Sequence, residues 1–224
     1  MNKGAVTYVA KLLIQRALGL LLYLLGAWGA MGLRAWVYFA TYFAVGIVSS
    51  VIMYRVNPVT LAERNKIDAE TPAWDKALLS IFWPLSFFVI YLVAGLEAAK
   101  APPPGTAFWL GMALQLPIAA LTLWALIVNT YFESSARIQI DREQTICKEG
   151  PYRFIRHPGY AAIVVWCVAV VMVFGTPGVA LTAAAIAGII LIRTHLEDEM
   201  LHAFLPGHVE YAREVRYRIV PFVW

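Results

Sequence analysis

Two groups of ionisable residues near the C-terminus have the types and spacing needed to bind a polar ligand. They are Arg156-His157, followed by a proline, and Arg193 with Glu197. The proline suits the first turn of a helix, whose free N–H groups, around residues 158–161, attract an anion such as a carboxylate. Glu197 supplies the opposite charge. Together these groups match a zwitterion with a carboxylate, an ammonium and a sulfonium group, although other polar cofactors share them.

Each group also has a simpler structural interpretation. Arg193 and Glu197 stand four residues apart on one helix face, so they could form only a salt bridge at the membrane surface. His157 could serve only as a structural helix cap. The remaining histidines lack the spacing of a recognised metal-ligand set, so we predict no metal site; they are His195, His202 and His208.

An apolar run, residues 159–192, separates the two groups. As one helix it would be about 51 Å long, whereas the hydrocarbon core of a bilayer is about 30 Å thick. The sequence Gly175-Thr176-Pro177-Gly178 in its middle is a strong turn signal. We therefore predict a tight hairpin of two short helices. This hairpin brings the Arg-His-Pro corner and the Glu197 helix together at one surface.

Composition predicts that the rest of the chain is a membrane scaffold. Hydrophobic residues make up 61% and charged residues 14%, about half the charged share of a soluble domain. A membrane helix needs about 20 apolar residues, so we predict an all-α, polytopic integral membrane protein with about six transmembrane helices. We expect the first to be a retained helix and not a signal peptide. The uncharged runs are residues 17–33, 35–54, 77–96, 106–132 and 159–192.

The basic residues sort by side of the membrane. In a six-helix topology, all of the 18 Lys and Arg residues except Arg34 and Lys100 fall on one side. The positive-inside rule then predicts that both termini and the polar groups are cytoplasmic. The net charge of +4 is therefore not a nucleic-acid signal. We predict one domain, with a helical scaffold in residues 1–132 and a cofactor-binding region in residues 133–224.

Three further features complete the organisation of the polar segments. Thr60 and Glu63 fit a capping box, so their connector is a short surface helix or part of the rim of a cytoplasmic cavity. After the Arg193 helix, Pro206-Gly207 breaks the chain, and residues 208–219 have the pattern of an amphipathic helix over the membrane face. The two cysteines lie in different segments and are expected to be free thiols; they are Cys147 and Cys167.

A joint motif runs through the last third of the chain: Gly150-Pro151-Tyr152-Arg153-x-x-Arg156-His157-Pro158-x-Tyr160, the apolar hairpin, Glu197-Asp198-x-x-Leu201, Pro206-Gly207-x-x-x-Tyr211 and Pro221. In this order and spacing it resembles the isoprenylcysteine carboxyl methyltransferase family. Phospholipid N-methyltransferases and prokaryotic membrane methyltransferases share the pattern. The resemblance covers residues 129–224, and the connector 57–64 looks like the prokaryotic branch.

The resemblance implies that S-adenosylmethionine binds in the C-terminal region and that Arg193 contacts the acceptor. Three positions depart from the family pattern and affect its fine geometry: Gln144 often is His, Cys147 often is Val and Asp198 often is Glu. The positions that match the family's cofactor contacts are Arg137, Gln144, Thr145, Ile146, Cys147, Tyr152, His157, Pro158, Gly159, Tyr160 and Glu197.

The implied reaction is a displacement at the sulfonium methyl group, so the main task is to align donor and acceptor. Glu197 could hold the ammonium group of the cofactor, and Arg193 could orient an acceptor carboxylate, which needs no general base. An amine or thiol acceptor needs one, and Glu197 or His157 are candidates.

The expected partners and location follow from the same resemblance. They are a lipophilic small molecule or lipid, such as an isoprenylcysteine-like carboxylate, and membrane lipids, but no nucleic acid. The cofactor would enter from the cytoplasm, and the acceptor from the bilayer. We predict a prokaryotic inner or cell membrane, with the active site cytoplasmic.

Two other classes of protein remain open. One is a membrane reductase with a nicotinamide cofactor, because some sterol reductases have a similar C-terminal half, although their substrate half has more helices. The other is a non-catalytic membrane protein or a small transporter. Inverted repeats or charged residues at the bilayer midplane would favour a transporter, and the sequence indicates neither.

Overall fold

The computed structural model describes residues 3–64 and 69–224, and over these residues all regular structure is helical. The predicted all-α class is therefore confirmed. The helices are α1 (Lys3–Gly26), α2 (Leu33–Val56), α3 (Pro58–Glu63), α4 (Ala73–Pro84), a π-helical segment (Leu85–Val89), α5 (Ile90–Leu96), α6 (Thr106–Val128), α7 (Pro158–Phe174), α8 (Pro177–Phe204) and α9 (His208–Glu214), with 3-10 turns at Ala98–Lys100, Ile140–Arg142 and Gly150–Arg153.

Five helical stretches of the described chain are long and apolar enough to cross a membrane. They are α1, α2, α6, α8 and the continuous stretch Ala73–Leu96 formed by α4, the π-helical segment and α5. The sixth apolar helix, α7, has 17 residues. The chain is thus a polytopic integral membrane protein, and the expectation of about six membrane helices is confirmed.

Helix α1 lies earlier in the chain than the apolar run 17–33 predicts. It ends at Gly26, and a turn with positive φ angles at Trp28 and Gly29 leads into α2. Arg16 is therefore ten residues from the C-terminal end of α1, or about 15 Å along a helix that is long and apolar enough to cross a membrane. The uncharged run therefore placed the start of this helix too late, and α1 carries a charged residue near its centre.

The predicted hairpin lies where its turn signal indicated. Helix α7 ends at Phe174, Gly175 follows with a left-handed φ of 65°, and α8 begins at Pro177. Glycine adopts this conformation without steric cost, and proline tolerates the first turn of a helix. Helix α8 then continues without a break to Phe204, so Arg193 and Glu197 lie on the same helix as the apolar run, as predicted.

The C-terminal amphipathic helix is shorter than predicted. Helix α9 ends at Glu214 and does not reach residue 219. The chain beyond it supplies backbone acceptors: the carbonyls of Tyr217 and Arg218 accept hydrogen bonds from the N–H groups of Arg156 and His157 at 2.9 and 2.8 Å. Residues 217 and 218 therefore bond to the residues just before α7 and do not continue the helix that the periodicity of residues 208–219 predicts.

The capping box predicted at Thr60 and Glu63, in the connector between α2 and α4, is also wrong. Helix α3 begins at Pro58, and the side-chain oxygen of Asn57 accepts a hydrogen bond from the Thr60 N–H at 3.1 Å. The Thr60 hydroxyl instead donates to the carbonyl of Thr130 at 3.2 Å. The cap thus lies three residues earlier, and the Thr60 hydroxyl is free to join this connector to the one that follows α6.

Helices α1 and α5 pack so closely that glycine is required between them. A Cβ added at Gly95 would lie 2.2 Å from the carbonyl oxygen of Tyr23, which is backbone and cannot rotate away. Gly26 on α1 faces the same contact, since a Cβ there would lie 2.7 Å from the Leu96 nitrogen. Small residues allow this close approach in membrane helices, and the contact aligns the C-terminal ends of α1 and α5.

We predict that Gly95→Ala destabilises the protein by about 1–3 kcal/mol, because the added methyl group overpacks the contact between α1 and α5. Gly188→Ala is the matched control, since a Cβ at Gly188 meets open space, and it should be neutral or stabilise by up to about 1 kcal/mol. Thermal unfolding in detergent measures both. Equal unfolding temperatures for the two variants would contradict this packing.

Candidate active site

A buried carboxylate joins the two groups of polar residues. Asp198 on α8 accepts hydrogen bonds from Nε and Nη2 of Arg156, both at 2.8 Å, and from Nε of Arg218 at 2.8 Å. The Nε2 atom of His157 lies 3.1 Å from the same carboxylate. The Arg-His-Pro corner and α8 therefore meet, as the hairpin predicted, but the acidic partner is Asp198 and not Glu197.

The Asp198 cluster also holds the C-terminal segment in place. The Nη1 atom of Arg156 donates to the carbonyls of Val215 and Arg216 at 2.7 and 2.9 Å. Arg218 comes from the same segment. One guanidinium thus binds both α8 and the chain beyond α9, and its hydrogen bonds satisfy a charge that is otherwise costly to bury.

The anion-binding helix N-terminus predicted at residues 158–161 has fewer free donors than expected. The N–H groups of Tyr160 and Ala161 bond to the His157 carbonyl, and proline at position 158 has none. Gly159 remains, and the ring of Phe132 covers it, since a Cβ there would lie 2.2 Å from the ring. The expectation of a free N-terminal turn is therefore wrong, because the helix closes its own first bonds.

A second buried ion pair holds Arg193, and the sequence analysis missed its partner. Asp75 on α4 accepts from Nε of Arg193 at 2.5 Å and from Nη2 at 3.3 Å, and it also accepts from the Ala136 N–H at 2.8 Å. Nη2 of Arg193 donates further to the Ser134 carbonyl at 3.0 Å. Asp75 followed no recognised motif, and only its position in an apolar helix could have marked it.

Glu197 is left without a guanidinium partner among the described residues. It is half-buried, and its carboxylate accepts a hydrogen bond from the Tyr160 hydroxyl. The guanidinium of Arg193 lies over the Tyr160 ring, 5.3 Å from its centroid. The alternative of a simple Arg193–Glu197 salt bridge is therefore wrong, and the Glu197 carboxylate is available to a cationic ligand.

A small cavity of about 110 Å³ lies beside this carboxylate. All eleven residues predicted to contact the cofactor line its wall, so the structure brings them together, although their role stays a prediction. Further lining residues were not among the predicted cofactor contacts, although Leu201 and Tyr211 belong to the joint motif. Their side chains follow from the fold of the connector and of α8 and α9: Asn129, Tyr131, Phe132, Leu201, His208 and Tyr211.

Two of the predicted contacts are already engaged within the protein. Arg137 forms ion pairs with Glu133 at 3.0 Å and Asp141 at 2.6 Å, and these carboxylates raise its pKa above the ordinary value. The Gln144 side-chain oxygen accepts from the Gln139 N–H at 2.8 Å. The Arg137 guanidinium already joins two carboxylates of the cavity wall, so it is less available for the direct cofactor contact that was expected.

His208 has a buried ring nitrogen, Nδ1, without a hydrogen-bond partner among the described residues. Burial lowers its pKa to about 4, so the ring is neutral at neutral pH. Its ligand atom lies within 4.8 Å of those of His202 and Asp198, a proximity that sequence spacing did not indicate. The arginines around Asp198 already take its oxygens and repel a cation, so this trio is a poor metal site. Both cysteines are free thiols, as predicted.

A second, large cavity of about 720 Å³ lies between the membrane helices. Its lining is mostly apolar, with contributions from α1, α2, α6 and α7, and Arg193 lies at its wall. The two cavities share four lining residues, Phe132, Glu133, Gly159 and Tyr160. The small cavity beside Glu197 and the large cavity are thus separated only by the first turn of α7 and the connector beside it.

The fold and site define a polytopic helical membrane protein with a polar cavity that adjoins a large apolar one. Residues 110–203 match the model of the isoprenylcysteine carboxyl methyltransferase (ICMT) family, which is a family of membrane methyltransferases. The resemblance stated from the motif is confirmed. No curated protein matches the sequence.

We predict that Asp198→Asn destabilises the protein by about 3–5 kcal/mol, because it leaves buried cationic groups without their counter-charge. Glu214→Gln is the control. Its ion pair with Lys148 is exposed on both sides, and exposed pairs contribute little. Thermal unfolding measures both variants. If Asp198→Asn unfolds at the same temperature as Glu214→Gln, the cluster does not hold the C-terminal region together.

Proposed function

We propose that this protein is an S-adenosylmethionine-dependent methyltransferase that modifies a lipophilic acceptor at the cytoplasmic side of a cell membrane. The observation that carries the proposal is the wall shared by the two cavities. A polar methyl donor in the small cavity and an apolar acceptor in the large cavity would meet across Gly159 and Tyr160. The family match supports the methyl-transfer chemistry, and the cofactor would supply the activated methyl group.

The residues around the small cavity fit the cofactor in charge. Glu197 would hold the ammonium group, because its carboxylate has no ion-pair partner among the described residues and accepts only one hydrogen bond, from Tyr160. The apolar side chains of Ile146 and Leu201 and the ring of Tyr152 provide surface for a nucleoside. The ring nitrogen of His208 that lacks a partner offers a further atom for a hydrogen bond.

The small cavity must widen to take this cofactor. Its volume of about 110 Å³ is below the roughly 300–1,000 Å³ of typical ligand pockets. Much of its wall is the irregular connector between α6 and α7, which has only short 3-10 turns. Such a segment can move without unfolding a membrane helix, and closure over bound ligands is common in enzymes. We propose that residues 129–147 move outward when the cofactor binds.

Arg193 is the residue best placed to orient the acceptor. Asp75 and the Ser134 carbonyl take its Nε and Nη2 atoms, and its Nη1 atom is left for an acceptor in the large cavity. A guanidinium fixed in this way loses little conformational entropy on binding a carboxylate. It would hold an acceptor carboxylate against the shared wall and so raise its effective concentration beside the methyl group.

The need for a general base depends on the acceptor. A carboxylate acceptor, such as that of an isoprenylcysteine-like compound, is already deprotonated and needs none. For an amine acceptor, Glu197 could receive the proton through the Tyr160 hydroxyl, which bonds to it and lies at the shared wall. His157 is less suitable, because its Nε2 atom already contacts Asp198.

We predict that Glu197→Gln weakens binding of S-adenosylhomocysteine at least about ten-fold, because it removes the charge that pairs with the ammonium group. Glu199→Gln is the matched control on the same helix, since Glu199 is exposed and its ion pair among the described residues is with His195. Calorimetry on purified protein measures both. Binding of NADPH in place of S-adenosylhomocysteine would identify a reductase and overturn the proposal.

We predict that Arg193→Lys keeps S-adenosylhomocysteine binding within about three-fold of the wild type and lowers turnover about 100-fold. Lysine retains the charge beside Asp75 but loses the planar guanidinium that serves Asp75 and the acceptor together. Labelled cofactor, added to native membranes, reports turnover, and mass spectrometry identifies the labelled lipid. Loss of cofactor binding in this variant would show that Arg193 belongs to the cofactor site.

A further inference from the structure

The large cavity contains a cation deep in the membrane that the proposed methyl transfer does not use. Arg16 lines the cavity from α1, about 15 Å from the C-terminal end of that helix. Its Nη1 atom donates to the Tyr42 carbonyl, and its guanidinium lies 3.8 Å from the centroid of the Tyr42 ring. Its Nε atom is buried without a hydrogen bond among the described residues.

No carboxylate of the described residues forms an ion pair with this guanidinium; its contacts are a carbonyl and an aromatic face. Ionisable side chains at this depth are rare, face a bundle interior or a cavity, and normally have a partner. A cation without a counter-ion in such a place is costly to keep. An anion in the cavity would remove that cost.

Other polar groups line the cavity at the same level. Ser86 is buried, and its Oγ atom has no partner among the described residues. Gln115 from α6 also lines the cavity. Counted from the nearer ends of their helices, both lie about 14–15 Å deep. These depths can be compared, because Gly26 contacts Leu96 and so the C-terminal ends of α1 and α5 lie side by side. The guanidinium of Arg34 lies over the ring of Phe108, which places the first turns of α2 and α6 side by side as well.

The backbone around Ser86 is unusual as well. It lies in the π-helical segment, which follows Pro84 inside a membrane-spanning stretch. Proline removes one helical hydrogen bond, and π-helical turns occur frequently at functional sites. We call the group formed by Arg16, Ser86 and Gln115 the mid-depth polar site.

We propose that the mid-depth polar site binds a carboxylate on the lipophilic acceptor, so that the acceptor is an amphiphile with two polar ends. This inference rests on the proposed function. One end would lie at Arg193, where methyl transfer takes place, and the other at Arg16. The N–H group of Gly178, near the start of α8, donates a hydrogen bond to the Glu97 carboxylate, just beyond the end of α5. The start of α8 and the end of α5 are therefore at about the same depth, and the depths of Arg193 and Arg16 can both be counted from there. The two arginines differ in depth by at least about 7 Å.

A lipid with a single head group explains the site less well. Its tail would place hydrocarbon against the Arg16 guanidinium and the Ser86 hydroxyl, and these buried polar groups would stay unpaired, which is unfavourable. A second carboxylate would instead accept charge-assisted hydrogen bonds from both. The site therefore selects against simple fatty chains as well as for two-headed ones.

The test compares α,ω-dicarboxylic acids with monocarboxylic acids of the same chain length. Each competes with a brominated fatty acid that quenches tryptophan fluorescence, because Trp83 and Trp166 line the cavity. In the wild type, the best dicarboxylic acid should bind at least about ten-fold tighter than its monocarboxylic counterpart. A ten-fold difference is about the contribution of one hydrogen bond to a charged group. Arg16→Gln should abolish that preference and leave monocarboxylic acid binding within about two-fold.

Arg34→Gln is the matched control, since Arg34 is also buried and donates to a backbone carbonyl, that of Pro102, but does not line the cavity. It should keep the preference. If Arg16→Gln does not fold, Ser86→Ala serves in its place and should reduce the preference at least about three-fold. An absent preference in the wild type, or an unchanged one in the variant that folds, overturns the inference.

The outcome is separate from that of the proposed function. Acid binding is measured without cofactor, and S-adenosylhomocysteine binding is measured without acid. If the wild type shows no preference for dicarboxylic acids but binds S-adenosylhomocysteine in a Glu197-dependent way, only the inference of a second carboxylate is overturned. A preserved preference without cofactor binding leaves a two-headed lipid site in a protein that is not a methyltransferase.

Discussion

The structure of the C-terminal region depends on one buried carboxylate. Asp198 accepts from Arg156 and Arg218 and contacts His157, so it joins α8, the start of α7 and the chain beyond α9. A buried ion pair is favourable only where further hydrogen bonds satisfy its remaining atoms. Here the carbonyls of Val215 and Arg216 do so for Arg156. Removing the carboxylate would release all three segments at once.

A consequence of this cluster is the division of labour between two neighbouring acidic residues. Because Asp198 neutralises the arginines, its neighbour Glu197 keeps a carboxylate without an ion-pair partner among the described residues. Asp75 has the corresponding effect on Arg193, which it holds at the wall of the large cavity. Asp198 pairs with the arginines and so leaves the Glu197 carboxylate beside the small cavity without an ion pair in the described part of the chain. Asp75 holds the Arg193 guanidinium at the wall of the large cavity. Neither Asp198 nor Asp75 lines either cavity, yet each determines which charged side chain beside a cavity has an internal partner.

Sequence predicted the parts of this arrangement that depend on local signals. The turn at Gly175 follows from glycine and proline chemistry, and the membrane helices follow from apolar length. Long-range pairings were beyond such reasoning. The partnership of Asp75 with Arg193 joins residues 118 positions apart, and the bonds from Arg156 and His157 to residues 217 and 218 override helical periodicity. The cap at Asn57 was missed because Thr60 and Glu63 also fit a capping box.

The depth of Arg16 shows why one misplaced helix boundary matters for function. Uncharged runs locate a membrane helix only where charge is absent, so α1 was expected to begin after Arg16. The helix instead includes this residue, because its guanidinium faces a cavity and the Tyr42 ring rather than lipid. A cation inside the bundle is compatible with a membrane helix when its surroundings are polar. Within the described residues those surroundings contain a carbonyl and an aromatic face but no paired carboxylate, which is why we propose that the counter-charge comes from the ligand of the large cavity.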